Sequence, residues 1–280
     1  MNQLFSIRSF LVVVLGVVST MASARTISDL DAVHKAAVQR TLVMRIAKDH
    51  LQMAAGVDYQ ASRADMEASI EEYEFLLSQL ELNSPNSNLN QRVLNIKQDW
   101  QKFRSAALTV ASQESSLALI EQGNDLMLKN DLLMREWQAR LPHLYGDRID
   151  LAQQQSMLSQ RIGVYYLAQY IGVEADWLQD EMQYTVTAYQ TGMEELRLAS
   201  EDAAVDPLIV AQLASNWDYA KLGLEQFSSG KYVPVVMSVT MESMVKQTDT
   251  LAAAYHIRDR IAMNGGRILG ESSLAANISN

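Results

Sequence analysis

Two short stretches set guanidinium groups among neutral polar residues: AAVQRTLVMRIAKDHL (36–51), with Gln39, Arg40 and Arg45, and QQQSMLSQR (153–161), with Gln153, Ser156, Gln160 and Arg161. A guanidinium is planar, permanently charged and offers several donors in fixed geometry, so it suits a planar oxyanion or a carboxylate better than lysine does. Arg40 and Arg45 are five residues apart, about 140° around a helix, so they do not easily grip one ligand. Other chemistry is thinly represented. The four histidines, His34, His50, His143 and His256, show no metal-ligand spacing. Asp31-Ala-Val-His34 approaches the Glu-x-x-His pattern of di-iron bundles but lacks a partner motif. The chain has no cysteine, which excludes thiolate metal sites and thiol catalysis. Neither a Gly-rich phosphate loop nor a nucleophile motif occurs, so no enzymatic activity, metal or cofactor is expected.

The N-terminus bears on the compartment. Arg8, the apolar run Phe10–Val18 and the small residues Ala22-Ser23-Ala24 have the pattern of a secretory leader, residues 1–24, cleaved after Ala24. The run is shorter than the roughly 20 residues that span a bilayer; an uncleaved leader would instead tether the chain to a membrane. A periplasmic location follows as the expectation. The formal charge of −10 argues against nucleic acid and anionic lipid as partners. A small anion would bind only where local arginines overrule that field.

The helices that must position these groups are legible in the spacing. Only 4 prolines and 12 glycines interrupt the chain, and apolar residues recur at threes and fours, which predicts an all-α fold. Breaks are expected at Gly56, Asn83–Asn86, near Ser112, at Pro142–Gly146, Gly172, Asp206-Pro207 and between Ser228 and Pro234. The last four of the resulting segments repeat the first four. An offset of 116 residues places Gln39 on Gln155, Leu42 on Leu158, Arg45 on Arg161, Gly56-Val57 on Gly172-Val173, Met66 on Met182 and Tyr73 on Tyr189. One residue of slippage later, Trp100 falls on Trp217. Leucine-rich helices align by chance, but the glycine, arginine and tryptophan in order point to a tandem duplication. The expected architecture is two tandem antiparallel four-helix bundles forming a pseudo-symmetric pair, residues 25–141 and 142–263, followed by a flexible tail, residues 264–280.

The repeated block resembles the first helix of the PilJ/NarX-like periplasmic sensor domains of type IV pilus chemotaxis transducers and nitrate/nitrite sensor kinases. That helix reads close to AGxQRMLSQRxAK. The second copy retains MLSQR as Met157–Arg161; the first retains Gln39-Arg40, Leu42, Arg45 and Ile46-Ala47-Lys48. Trp100 with Phe103, echoed by Trp217, is similar to the family's third helix.

The resemblance implies a four-helix bundle that pairs with a second copy, and an anion held between the two first helices by the arginine of QRM. Transferred by position, that arginine is Arg40, and its counterpart in the second copy is Ser156. The implied ligand site is therefore one-sided: Arg40 faces Ser156, with Gln39, Gln153 and Gln160 nearby. Gln153, Ser156 and Gln160 share a face that either completes this site or is solvated. Replacing one arginine by serine removes charge-assisted hydrogen bonds worth roughly 1.5–3 kcal/mol, so the site is expected to be weakened, changed or lost. Arg45 and Arg161 are expected to brace the bundle, pairing with carboxylates such as Glu71 or Glu74; Trp100 and Trp217 are expected in the core.

The resulting expectation is a sensory module that binds a small oxyanion, nitrate or nitrite first. It would signal through a membrane-bound receptor, kinase or cyclase, and a homodimer is compatible with it. The alternative is a ligand-free helical scaffold docking on a membrane receptor or a pilus or chemotaxis component.

Overall fold

The computed structural model describes residues 27–142, 146–199 and 206–278. The expected leader and the middle of the Pro142–Gly146 link, with His143, lie outside them. Eight helices follow in order: α1 (Asp29–Ala54), α2 (Tyr59–Leu82), α3 (Ser87–Ala107), α4 (Gln113–Gln138), α5 (Asp147–Tyr170), α6 (Leu178–Ala199), α7 (Pro207–Ser228) and α8 (Pro234–Ile278). No strand occurs among the described residues, so the chain is all-α.

Local chemistry sets the boundaries. Ser28 opens α1 in a capping box with Asp31, and Asn86 and Ser112 cap α3 and α4. Asp206 accepts from the Leu208 amide at 2.9 Å with Pro207 in the first turn of α7. The ends of α1 and α5 are built alike. Gly56 (φ 69°) and Gly172 (φ 80°) take the left-handed conformation, and the next amides, Val57 and Val173, reach back to Gln52 and Ala168, each at 2.8 Å. A side chain at either glycine would strain that turn, which is why the break is written with glycine twice. α8 continues through Asn264 and the Gly265-Gly266 pair, where the sequence predicts the tail to begin.

α1 packs against α2, α4 and α5, while α5 packs against α6, α8 and α1. Further contacts run α2 to α3, α3 to α4, α6 to α7 and α7 to α8, with smaller ones between α1 and α8, α4 and α5, and α1 and α3. α1 and α5 are thus the inner helices. Their burial has no single face: residues 39–44, 46–51 and 155–168 are buried without a break. Outer helices carry one apolar stripe each, and two aromatic pairs anchor them. Tyr73 stacks on Trp100 with centroids 3.9 Å apart, and Tyr189 packs on Trp217 at 4.5 Å. Both tryptophans are in the core.

The buried positions of α4 and α8 correspond at an offset of 118 residues: Leu119 with Met237, Leu126 with Met244, Asn130 with Thr248, Leu133 with Leu251 and Trp137 with Tyr255. The residue types differ at most of these positions, so this correspondence emerges only from burial.

Candidate functional site

Arg40 lies in the α1–α5 seam, 1% exposed. Its two terminal nitrogens reach Asp131 of α4 and Asp150 of α5, the latter at 2.5 Å. One guanidinium therefore ties three helices together. Burial opposes ionisation of Asp131, but hydrogen bonding from Arg135 and the charge of Arg40 outweigh it and hold the carboxyl below its usual range. Both carboxylates remain partly accessible, while Arg40 Nε is buried without a partner.

Ser156 occupies the corresponding place in α5. Its hydroxyl donates to Asp249 of α8 at 2.7 Å and lies 2.9 Å from the Thr248 hydroxyl. Asp249 and Asp131 are themselves 118 residues apart, so one carboxylate position serves the arginine in one half and the serine in the other. Burial pushes the Asp249 carboxyl up, against the hydrogen bonds from Ser156 and Gln153 and the charge of Arg45. Gln153 and Gln160 are buried rather than solvated. Gln153 reaches Asp249 at 3.4 Å, and Gln160 turns to Glu242 at 2.8 Å. Gln39 bonds the Tyr73 carbonyl of α2 at 3.5 Å. The seam thus brings Arg40, Gln39, Ser156 and Gln153 to one buried layer but gives each a protein partner.

A second polar centre lies where α1 meets α8. Lys48, 1% exposed, donates to Glu242, which also receives Arg45 Nη2 at 3.3 Å. The lysine stem crosses α5 at Gly163, where a Cβ would come within 3.2 Å of Lys48 Cδ. Burial works against a charged Glu242, but Lys48 and Arg45 bring its pKa down to about 2. Beside Lys48, at 3.6 Å, Asp49 shows the opposite balance: burial pushes its carboxyl up to about 7 despite the lysine, and its Oδ2 has no partner.

The corresponding corner, where α5 meets α4, is built differently. Arg161 donates to the Tyr165 hydroxyl at 2.8 Å and to Glu181 of α6 at 2.7 Å, and Tyr165 passes the contact to Asn124 of α4 at 3.1 Å. Arg161 also covers the Tyr165 ring, 5.2 Å from its centroid. At offsets of 116 and 118 residues, Arg161 matches Arg45, Glu181 matches Asp65, and Asn124 matches Glu242. Arg45 is a brace across the two halves, held by Glu242 of α8 rather than by Glu71 or Glu74; Glu74 instead accepts from Trp100 Nε1 at 3.2 Å and pairs with Arg104 at 3.0 Å.

Two adjoining clefts of about 360 Å³ and 290 Å³ open between α1, α2 and α8 and share Asp65, Glu242 and Lys246. Neither is lined by Arg40, Gln39, Ser156 or Gln153. Sequence reasoning missed Asp131, Asp150, Glu242 and Asp249, because carboxylates in helices read as solvated faces until the partner helix is known. The offset of 118 residues that pairs Asp131 with Asp249 becomes visible only once burial aligns α4 with α8. No group of acidic or histidine side chains suited to a metal ion occurs among the described residues.

Residues 21–126 match the family model described as type IV pili methyl-accepting chemotaxis transducer N-term, PilJ. The match takes in α1, α2, α3 and the first half of α4. No curated protein and no solved structure matches the chain.

Proposed function

From the premise that residues 21–126 are a PilJ domain, we propose that the chain is a periplasmic sensory module of the chemotaxis-transducer kind, built as two PilJ/NarX-like units. It reports the state of its α1–α5 seam to a membrane-bound partner. The observation that carries this is the placement of Arg40: a single buried guanidinium joins α1, α4 and α5 through two carboxylates that solvent still reaches. A planar oxyanion, nitrate or nitrite first, competes with Asp150 for that guanidinium. Replacing Asp150 frees the start of α5 from α1, which favours a different offset of the two inner helices, and the partner reads the shift. Ser156, Gln153 and Asp249 form the side of the seam that has no arginine, so the affinity is below that of a site with two arginines. The reading assigns no catalytic step. No helix among the described residues is long and apolar enough to cross a membrane; in this reading the signal passes by contact with the partner.

The second reading, a ligand-free scaffold, is favoured by the same geometry in one respect: Asp131 and Asp150 already satisfy most of what Arg40 offers. Titration calorimetry with nitrate, nitrite and other small anions separates the two. The sensor reading expects heat of binding that disappears in Arg40→Lys, which keeps the charge but loses the fork. No heat and no thermal stabilisation with any anion leaves the scaffold.

A further inference from the structure

The trough between α1, α2 and α8 is the open counterpart of a closed corner. At α4–α5–α6 the chain Glu181–Arg161–Tyr165–Asn124 runs unbroken from one half to the other. At α2–α1–α8 the equivalent chain is interrupted. Arg45 turns to Glu242 on α8, and Asp65, which stands where Glu181 stands, makes no hydrogen bond or ion pair among the described residues. Asp65 and Glu72 lie along α2 on one side, and exposed Lys246 lies on α8 opposite them. No ion pair among the described residues joins α2 to α8, although opposite charges line the two walls. The trough therefore presents unpaired carboxylates on the α2 wall, a free ammonium next along α8 from the Glu242 carboxylate on the other, and in its lining Arg45 of α1, a guanidinium that uses one nitrogen on Glu242. Its volume falls in the range of small-molecule sites.

We propose that this trough binds a zwitterionic α-amino acid, with the ligand ammonium on Asp65 and Glu72 and its carboxylate between Lys246 and Arg45. The ligand restores across α2, α1 and α8 the continuous chain of polar contacts that protein side chains alone complete at the other corner. A lone anion would meet the α2 carboxylates, and a lone cation would meet Lys246 and Arg45, so both charges are required. The site is separate from Arg40 and does not depend on an oxyanion binding there.

Calorimetry and thermal shift with the 20 amino acids test it, each active compound being followed by the amine and the acid that carry only one of its charges. Binding of an intact amino acid is expected, weakened about tenfold or more by Asp65→Asn and by Lys246→Met. Both residues are exposed, so the variants fold. The absence of heat and thermal shift with every amino acid overturns the proposal. So does equal binding of the one-charge analogue, or an affinity unchanged in both variants.

Discussion

The two corners that flank the α1–α5 seam between the halves of the molecule are made from matching positions with opposite chemistry. At α4–α5–α6, a tyrosine and an asparagine carry the contact between halves, and the arginine–carboxylate pair stays within the second half. At α1–α2–α8, both cations of the first half are committed to one carboxylate of the second. The neutral corner is satisfied by short hydrogen bonds and aromatic packing. The charged corner depends on Glu242 to offset Lys48, which has no access to water. Helix pairs with matching residue spacing can therefore meet the other half differently, one through uncharged packing and the other through a single shared carboxylate. The second kind is open to disturbance by ligands or pH at one point, because loss of the Glu242 charge takes the shared carboxylate from both Lys48 and Arg45.

The widest separation is expected between the arginines. Arg40→Ala leaves Asp131 and Asp150 without their shared cation and should lower stability by about 3–5 kcal/mol in urea unfolding. Arg161→Ala, whose partner Glu181 is largely solvated, should lower it by about 1 kcal/mol. Equal losses would remove the distinction between a brace within one half and a tie across the seam.

Glu242→Gln is next, at about 2–3 kcal/mol, since Lys48 then lacks its carboxylate. The same group gives an acid signature. Its pKa is depressed in the fold, so its contribution is complete above the ordinary value of 4.5 and is lost as pH falls toward about 2. The stability difference between wild type and Glu242→Gln should shrink over that range.

Asp49 should behave in the opposite sense. Its pKa is raised from 3.8 to about 7, so the folded state holds the proton more tightly than the unfolded chain and loses stability as pH rises between those values. Asp49→Asn should gain on wild type from pH 4 to 7 and hold that gain above it; parallel curves would mean that the carboxyl ionises in the fold as it does in water. The smallest effect belongs to the surface: Arg63→Ala, which breaks an exposed i, i+4 pair with Glu67, should change stability by no more than the scatter of repeated melts.

Most of the helical layout was legible beforehand. Gly56, Asn86, Ser112, Gly172 and Asp206-Pro207 mark boundaries because caps and left-handed turns restrict residue type locally. The aromatic pairs were half legible: the matched tyrosines and tryptophans predicted core positions, but not that each tyrosine meets its tryptophan. The polar seam was the least legible. Gln153, Ser156 and Gln160 share a helical face, and nothing in one helix distinguishes a solvated face from one covered by α8.

The sequence by itself determined where most of the helices begin and end, though not the end of α8, that the two inner helices carry arginines at fixed spacing, and that one half has serine where the other has Arg40. These are properties of local spacing and of like compared with like along the chain. Only the tertiary structure decided which carboxylate each cation meets: Asp131 and Asp150 for Arg40, Glu242 for Arg45 and Lys48, Glu181 for Arg161. Ion pairing is set by which helix faces approach each other, and that depends on the packing of all eight helices together.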